Sequence, residues 1–333
     1  LGDNFLHEEP YSTTLQQMGV EILYGPGYQA GIWDWLTKNK DEIDFAYLNR
    51  PHIAIKYIDF IKKNTNIKVI YYGHDLHFLR EYREYELTGD IQKKRESDYW
   101  KSIEFSLMEK AAVSYYPSYV EEEAIHAIHP EYKIRAITAY VYEKFLENID
   151  KDFEKREGLL FVGGFAHPPN ADAVLWFAKE IFPLIRQKLD VNFYVVGSKV
   201  TDEIKALEQP GSGIIVKGFV TEEELASLYA TSRIVVVPLR YGAGVKGKVV
   251  EAVYNGSAIV TTSIGSEGIP EAERVMKVAD GPAAFADEVV KMYQDPAECR
   301  RMCEETQKYI REYFSVEAAW KVIEGDFTPE KKR

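Results

Sequence analysis

Cysteine is nearly absent. The 333 residues hold two, Cys299 and Cys303, too few to staple a chain this long, so a disulfide scaffold is excluded. Four apart in a helical stretch, they read as small buried apolar side chains, since a lone pair makes a poor metal site. No apolar run approaches the ~18 residues of a membrane span, and no signal peptide opens the chain. A reducing cytoplasm is the default compartment. Positive charge is also short: 41 Lys and Arg against 53 Asp and Glu give a net charge of −12. That disfavours a nucleic-acid binder, which needs a positive field to neutralise phosphates, while leaving room for a local basic patch facing an anionic ligand or a membrane. Gly-x-Ser-x-Gly and Walker A signatures are missing, which disfavours hydrolase and kinase-like readings, and a dinucleotide-binding reading is likewise not favoured. No metal site is expected: His126 and His129 lack acidic partners at ligand spacing, and Asp150-Lys151-Asp152 sits in a polar, solvent-facing stretch.

What is present is ordinary globular material, 46% apolar and 28% charged. At roughly 150 residues per domain, the length suggests two domains. In the first half, short runs rich in β-branched and aromatic residues read as strands: Val20–Tyr24, Ile43–Leu48, Ile67–Tyr72, Ala111–Tyr116 and Ile134–Thr138. Helices are expected over 12–18, 29–39, 52–63, 98–110 and 119–128, with Leu79–Glu96 as helix and loop projecting from this domain. After a polar link, Glu147–Glu157, a second series begins: strands Leu159–Gly163, Asn192–Val196, Gly213–Lys217, Ile234–Pro238 and Ala258–Thr262, and a short one near Val275–Val278. Helices at about 171–189, 201–208, 222–231, 246–255 and 283–294 separate them. Continuous apolar strands alternating with helices indicate parallel sheets covered on both faces. The expected fold class is α/β, with two Rossmann-like domains, 1–150 and 151–314, and a final helical segment, 315–333. Ligands of such sheets bind at the carboxyl ends of the strands. The chain opens on Leu1–Pro10 rather than a buried strand, so the first domain is expected to lack its first strand and helix, as a segment of a longer, multidomain protein would.

The most informative stretch is Val236–Gly256, VVPLRYGAGVKGKVVEAVYNG. A buried strand ends at Pro238, a turn holds Gly242 and Gly244, and a helix begins near Val245 and stops at Asn255–Gly256. Strand, glycine-rich turn and helix N-terminus form an anion site, because unpaired amides point outward and the helix dipole favours negative charge. Lys246 and Lys248 fall in the first turn, where cations oppose the dipole; an anion such as a diphosphate between them resolves the conflict. Glu251 is placed to accept hydrogen bonds from sugar hydroxyls beside it. A plain strand-to-helix turn with solvated lysines is the competing reading. Gly163–Gly164, Gly197 and Gly218–Phe219–Val220 end three other strands on the same edge and suggest a lined crevice.

In the first domain, strand Ile67–Tyr72 delivers His74, Asp75, His77, Arg80 and Glu81 to its carboxyl end. Imidazole donates or accepts near neutral pH, and a neighbouring carboxylate fixes its tautomer. Asp75 equally suits a helix cap, and Arg80 with Glu81 a surface pair of little weight.

FVGGFAHPPNADAVLWFAKEIFP, the run GFVTEEELASLYATSRIVVVPLRYGAGVKGKVVEAVYNGSAIVTTSIGSEGI and the trailing FADEVVKMYQDP resemble the donor domain of retaining glycosyltransferases of family 4, which have the GT-B fold. YGHDLHFLREYRE and LNRPHIA resemble the bacterial branch that builds O-antigen, capsule and related polysaccharides. The resemblance implies a nucleotide-diphospho-sugar held by the second domain and a glycan or lipid-linked acceptor held mostly by the first. It places the enzyme in the cytoplasm, with peripheral association at the membrane's inner face allowed. By resemblance, Glu251 is the ribose-binding second Glu of a paired-glutamate motif. Gly242, Ala243, Gly244, Val245, Lys246 and Lys248 surround the diphosphate and donor sugar, with Gly163–Gly164 beside the diphosphate. Gly197, Phe219 and Val220 face the base, His74 the reacting centre, and Asp75, His77 and Arg80 the acceptor. The motif's first Glu is Ala243 here, and the family's basic pair after the first donor-domain strand is replaced by Phe165 and Asn170, so Lys246 or Lys248 is expected to carry the phosphate charge.

The expected reaction moves a hexose with retained configuration, His74 and Lys248 being the catalytic candidates; no cofactor is required. Its rivals are a GT-B nucleotide-sugar epimerase and a non-catalytic sugar-nucleotide-binding domain of a larger synthase. The link Glu147–Glu157 is expected to act as hinge, and Ser315–Ile323 to cross back and pack Trp320 on the first domain.

Overall fold

The computed structural model describes residues 2–327. Two parallel sheets form two α/β domains. The first has four strands in the order β1-β2-β3-β4: β1 (Phe45–Asn49), β2 (Lys68–Tyr72), β3 (Val113–Tyr116) and β4 (Ile134–Ala136). The second has six, ordered β10-β9-β8-β5-β6-β7: β5 (Leu159–Val162), β6 (Phe193–Val196), β7 (Ile214–Gly218), β8 (Ile234–Val237), β9 (Ala258–Thr261) and β10 (Lys277–Val278). β8 and β9 are fully buried and β5 and β6 nearly so, as helices on both faces require, while the edge strands β7 and β10 are partly open. The strand order reverses between β5 and β8, so their carboxyl ends flank a crevice.

Several sequence expectations are corrected. Val20–Tyr24 forms no strand; it pairs with nothing, and only Leu23 reaches the first domain's core. Leu79–Glu96 does not project: helices His77–Thr88 and Ile91–Lys110, joined through a left-handed Gly89, pack against each other. The expected helix over 171–189 is broken by a π turn at Phe177–Ile181. Pro183 explains it, because proline lacks the amide that would continue the α ladder and crowds the preceding turn.

The polar stretch Glu147–Glu157 is no free link either. Phe153 is buried in the second core, and Arg156, itself buried, donates to the Tyr229 carbonyl. The chain instead crosses between domains nearer Tyr142, whose amide donates to Phe314 O (2.8 Å) and whose backbone bridges Ser315, between helices Pro296–Tyr313 and Val316–Ile323. Helix Val316–Ile323 then lies over the first sheet. Val322, Ile323 and Phe327 cover Ile70, Tyr72, Val113 and Tyr115, and buried Asp326 accepts from the Tyr115 hydroxyl (2.6 Å) and Lys133 (3.0 Å). Trp320 does not make this contact; it is 55% exposed. Residues 328–333 of the final segment lie outside the described residues. Among the described residues no helix is long and apolar enough to cross a membrane.

Candidate active site

A cleft of about 420 Å³ opens at the crevice between β5 and β8. Its walls include Gly163, Gly164, Gly197, Phe219, Val220, Lys248 and Glu251, brought there by the loops after three strands and by helix Gly247–Tyr254. Gly163 has a steric reason to be glycine: a Cβ there would lie 3.2 Å from Lys248 Cε and 3.0 Å from Asn170 Nδ2. The bare backbone lets the lysine stem and the Asn170 amide, which donates to Gly164 O (2.7 Å), close on the strand end. Gly197 is tighter still, since a Cβ would fall 2.0 Å from Gly163 O. Phe219 stands at the rim, 81% exposed, a flat apolar face of the kind that stacks on a base.

The two lysines of the glycine-rich turn have different fates. Lys246, 8% exposed, is the residue preceding helix Gly247–Tyr254; its ammonium donates to Gly244 O and lies 3.4 Å from Glu267. Burial lowers its pKa, and Glu267 opposes that. Lys248 makes no hydrogen bond or ion pair among the described residues, although it is desolvated enough to bring its pKa down to about 8, with Lys246 adding to the fall. An unpaired ammonium held out of water at a helix N-terminus is a site waiting for an anion. Glu251 sits one turn further along the same helix. Burial raises its pKa and the Tyr229 hydroxyl beside it works the other way.

Gly242, Ala243, Gly244 and Val245 do not line this cleft. They form the turn behind it, against the first domain: a Cβ on Gly244 would lie 3.4 Å from the His74 carbonyl and from Asp75 Cβ. Val245 is buried in the second core. His74 therefore stands across the domain boundary from the turn. Its backbone is held at φ 69°, its ring pairs with Asn49 Oδ1 and meets Tyr72 edge-on, and burial with nearby Arg50 lowers its pKa.

Asp75, His77 and Arg80 belong to an internal network. Buried Glu104 accepts the His77 and Phe78 amides (2.9 and 3.1 Å), capping helix His77–Thr88 from a neighbouring helix; Asp75 does not cap it. His77 Nδ1 lies 3.2 Å from Asp75 and 3.3 Å from Glu104. Burial depresses the imidazole, but these carboxylates outweigh it and raise its pKa. Arg80 bridges Asp75 and Glu81, and Lys93 adds to Glu81 (2.8 Å), so this is a partly buried lattice rather than a surface pair.

Sequence reasoning missed Tyr140, Asn170, Ser198 and Leu225 in the cleft wall. Tyr140 comes from the crossing between domains and packs its hydroxyl on the Gly247 backbone, where a Cβ would lie 2.6 Å away. No local pattern marks it. Asn170 carried a signal, standing directly after the Pro168-Pro169 pair at a helix start. Among the described residues no cluster of His, Cys, Asp or Glu is arranged to hold a metal.

Comparison with known proteins follows this geometry. Residues 156–295 match the family described as glycosyl transferases group 1. A Klebsiella pneumoniae protein described as an uncharacterized 44.6 kDa protein in the cps region is 26% identical over 164 residues, 47% of this chain and 42% of that protein, so less than half of that relative's length is matched. Among solved structures, sucrose-phosphate synthase from Thermosynechococcus elongatus superposes with a TM-score of 0.69 at 16% identity, covering 92% of this chain and 80% of that one. Anabaena HepE in complex with UDP-glucose gives 0.66 at 14%, covering 96% and 89%. S. aureus TarM, in complex with UDP and alpha-GlcNAc-glycerol among its ligands, gives 0.65 at 13%, covering 88% and 57%. The family match falls within the second half of the chain, and the two parallel-sheet domains have the GT-B fold of these solved structures.

Proposed function

We propose that the protein is a retaining glycosyltransferase that moves a hexose from a nucleotide-diphospho-sugar to a hydroxyl of a growing glycan or lipid-linked glycan. The observation that carries the reading is the unpaired, desolvated Lys248 ammonium at the crevice between β5 and β8, with Glu251 lining the same cleft from the same helix. HepE, which shares the fold, has been solved with UDP-glucose, and the Klebsiella relative is described by a cps region.

In this reading the diphosphate lies against the amides that begin helix Gly247–Tyr254, Lys248 neutralises it, Glu251 accepts from the ribose hydroxyls, and the base lies against Phe219. The bond between the sugar's anomeric carbon and the β-phosphate oxygen breaks, and negative charge grows on that phosphate. Amides and ammonium fixed there favour the transition state over the ground state. The acceptor hydroxyl attacks from the same face, its oxygen bonding to the anomeric carbon while its proton passes to the departing phosphate. His74 faces this centre from the first domain. The acceptor comes to the first domain, at the membrane's cytoplasmic face if it is lipid-linked.

A thermal-shift screen of UDP, GDP, ADP and dTDP and their sugars tests the reading, since a binder raises stability according to its affinity. One of these raising Tm, followed by NMR of the transfer product showing retained anomeric configuration, is expected. No shift with any of them sinks it. Binding without transfer points instead to a sugar-nucleotide-binding domain, for which Ala243 in place of a glutamate speaks; conversion of the donor alone points to an epimerase.

A further inference from the structure

A second ionic group spans the domain boundary, apart from Lys248. Arg83, on helix His77–Thr88 of the first domain, donates to Gly242 O (2.7 Å) and, with both ends of its fork, to Glu267 (2.8 and 2.6 Å). Both acceptors are in the second domain: Gly242 opens the glycine-rich turn, and Glu267 follows the short helix Ser263–Ser266 beyond β9. Lys246 reaches the same carboxylate from inside the turn. Glu121 closes the other side. It is 1% exposed, its Oε1 has no hydrogen-bond partner among the described residues, and a Cβ on Gly244 would come within 3.1 Å of that oxygen.

Gly242 and Gly244 have no side chains with which to anchor themselves, so the turn takes its position from what grips it. Arg83 grips it twice, through a carbonyl of the turn and through the carboxylate that also holds Lys246. Planar, two-pronged pairing of this kind fixes geometry as well as charge. We propose that Arg83 is a positioning residue. It ties the Gly242–Gly244 turn and Lys246 to the first domain, so that the start of helix Gly247–Tyr254, where the diphosphate lies in the reading above, is set only while the two domains are together. The proposal rests on the donor-site reading above.

The full chain is tested as wild type, Arg83→Met, Arg83→Lys and Glu267→Gln, by two measurements. The first is amide hydrogen exchange, without ligand, in the first turn of helix Gly247–Tyr254, at Val249 and Val250, whose amides donate to Lys246 O (2.9 and 3.3 Å). Loss of a charge-assisted grip should speed exchange there about tenfold or more in Arg83→Met, with strands β5 and β6 unchanged and Arg83→Lys in between. Wild-type rates in the turn overturn the proposal whatever the protein binds. The second is calorimetry with UDP and with uridine. Arg83→Met and Glu267→Gln should each weaken UDP about tenfold while leaving uridine within twofold, and the double variant should lose no more than either single one. Equal losses for both ligands mark a merely structural role and overturn the proposal. If wild type binds no UDP, the donor-site reading loses its support with this probe, and the exchange experiment alone decides on Arg83.

Discussion

Replacing Lys248 by methionine should stabilise the empty protein while crippling it, and the size of both effects follows from one pKa. An ordinary lysine titrates at 10.5; burial, with help from Lys246, brings Lys248 to about 8. A gap of that size corresponds to roughly 3 kcal/mol for holding the charge in place, an upper bound because the side chain reaches solvent through the cleft. Between pH 8 and 10.5 the unfolded chain binds the proton that the folded one has lost, so stability rises with pH through this window, and at pH 7 the whole penalty is present. Methionine keeps the stem and removes the charge. At pH 7 its melting temperature should exceed wild type by up to roughly 10 °C, at about 2–4 °C per kcal/mol for a domain of this size, and the difference should vanish near pH 10.5. Nucleoside diphosphate affinity runs the opposite way. A bound diphosphate raises the lysine's pKa, so wild-type affinity should decline above pH 8 by up to about tenfold per unit, and the variant's should be lower and flat. Activity, kcat/KM, should fall about a hundredfold or more. Calorimetry and thermal melts from pH 6.5 to 10.5, with a transfer assay for kcat/KM, measure these effects. A variant that melts below wild type at pH 7 while binding nucleotide equally well refutes the reasoning, since Lys248 would then be a satisfied structural cation.

Glu251→Gln keeps the side chain's shape but removes a charged acceptor; affinity for uridine should fall about tenfold and the preference over deoxyuridine should disappear, whereas an intact preference in calorimetry removes Glu251 from the ribose. His74→Ala should lower kcat with nucleotide affinity unchanged, and full turnover would make His74 a residue of the loop's architecture only. Glu104→Ala leaves the His77 and Phe78 amides and the His77 ring without their buried partner; denaturant unfolding should show a loss of about 3 kcal/mol, and a loss under 1 kcal/mol would mean that water replaces the carboxylate.

The architecture was legible along the chain because its signals are local. Runs such as LLFV and IVVV, buried between helices, have one economical use, a covered parallel strand. Gly242 to Lys248 marks a strand-to-helix turn by composition alone. The corrected elements are those in which tertiary context overruled a local pattern. Val20–Tyr24 has strand composition but no neighbour to pair with; Glu147–Glu157 has linker composition, yet Phe153 pins it to the second core. Asp75, His77 and Arg80 look alike in sequence to residues that face a ligand, and only packing shows that Glu104, almost thirty positions away, satisfies their helix.

The sequence by itself determined that two sheets form and that an anion-binding turn follows β8. Which of two neighbouring lysines is left for the anion was decided by the tertiary structure. Lys246 and Lys248 have the same chemistry and almost the same place in the chain. Glu267, arriving from the end of β9 and itself held by Arg83 from the other domain, takes up one of them. The bare backbone at Gly163 makes room for the other at the cleft. Partnering is a long-range property: an ammonium's charge is committed by whichever carboxylate the fold brings within a few ångströms, and no spacing along the chain records that.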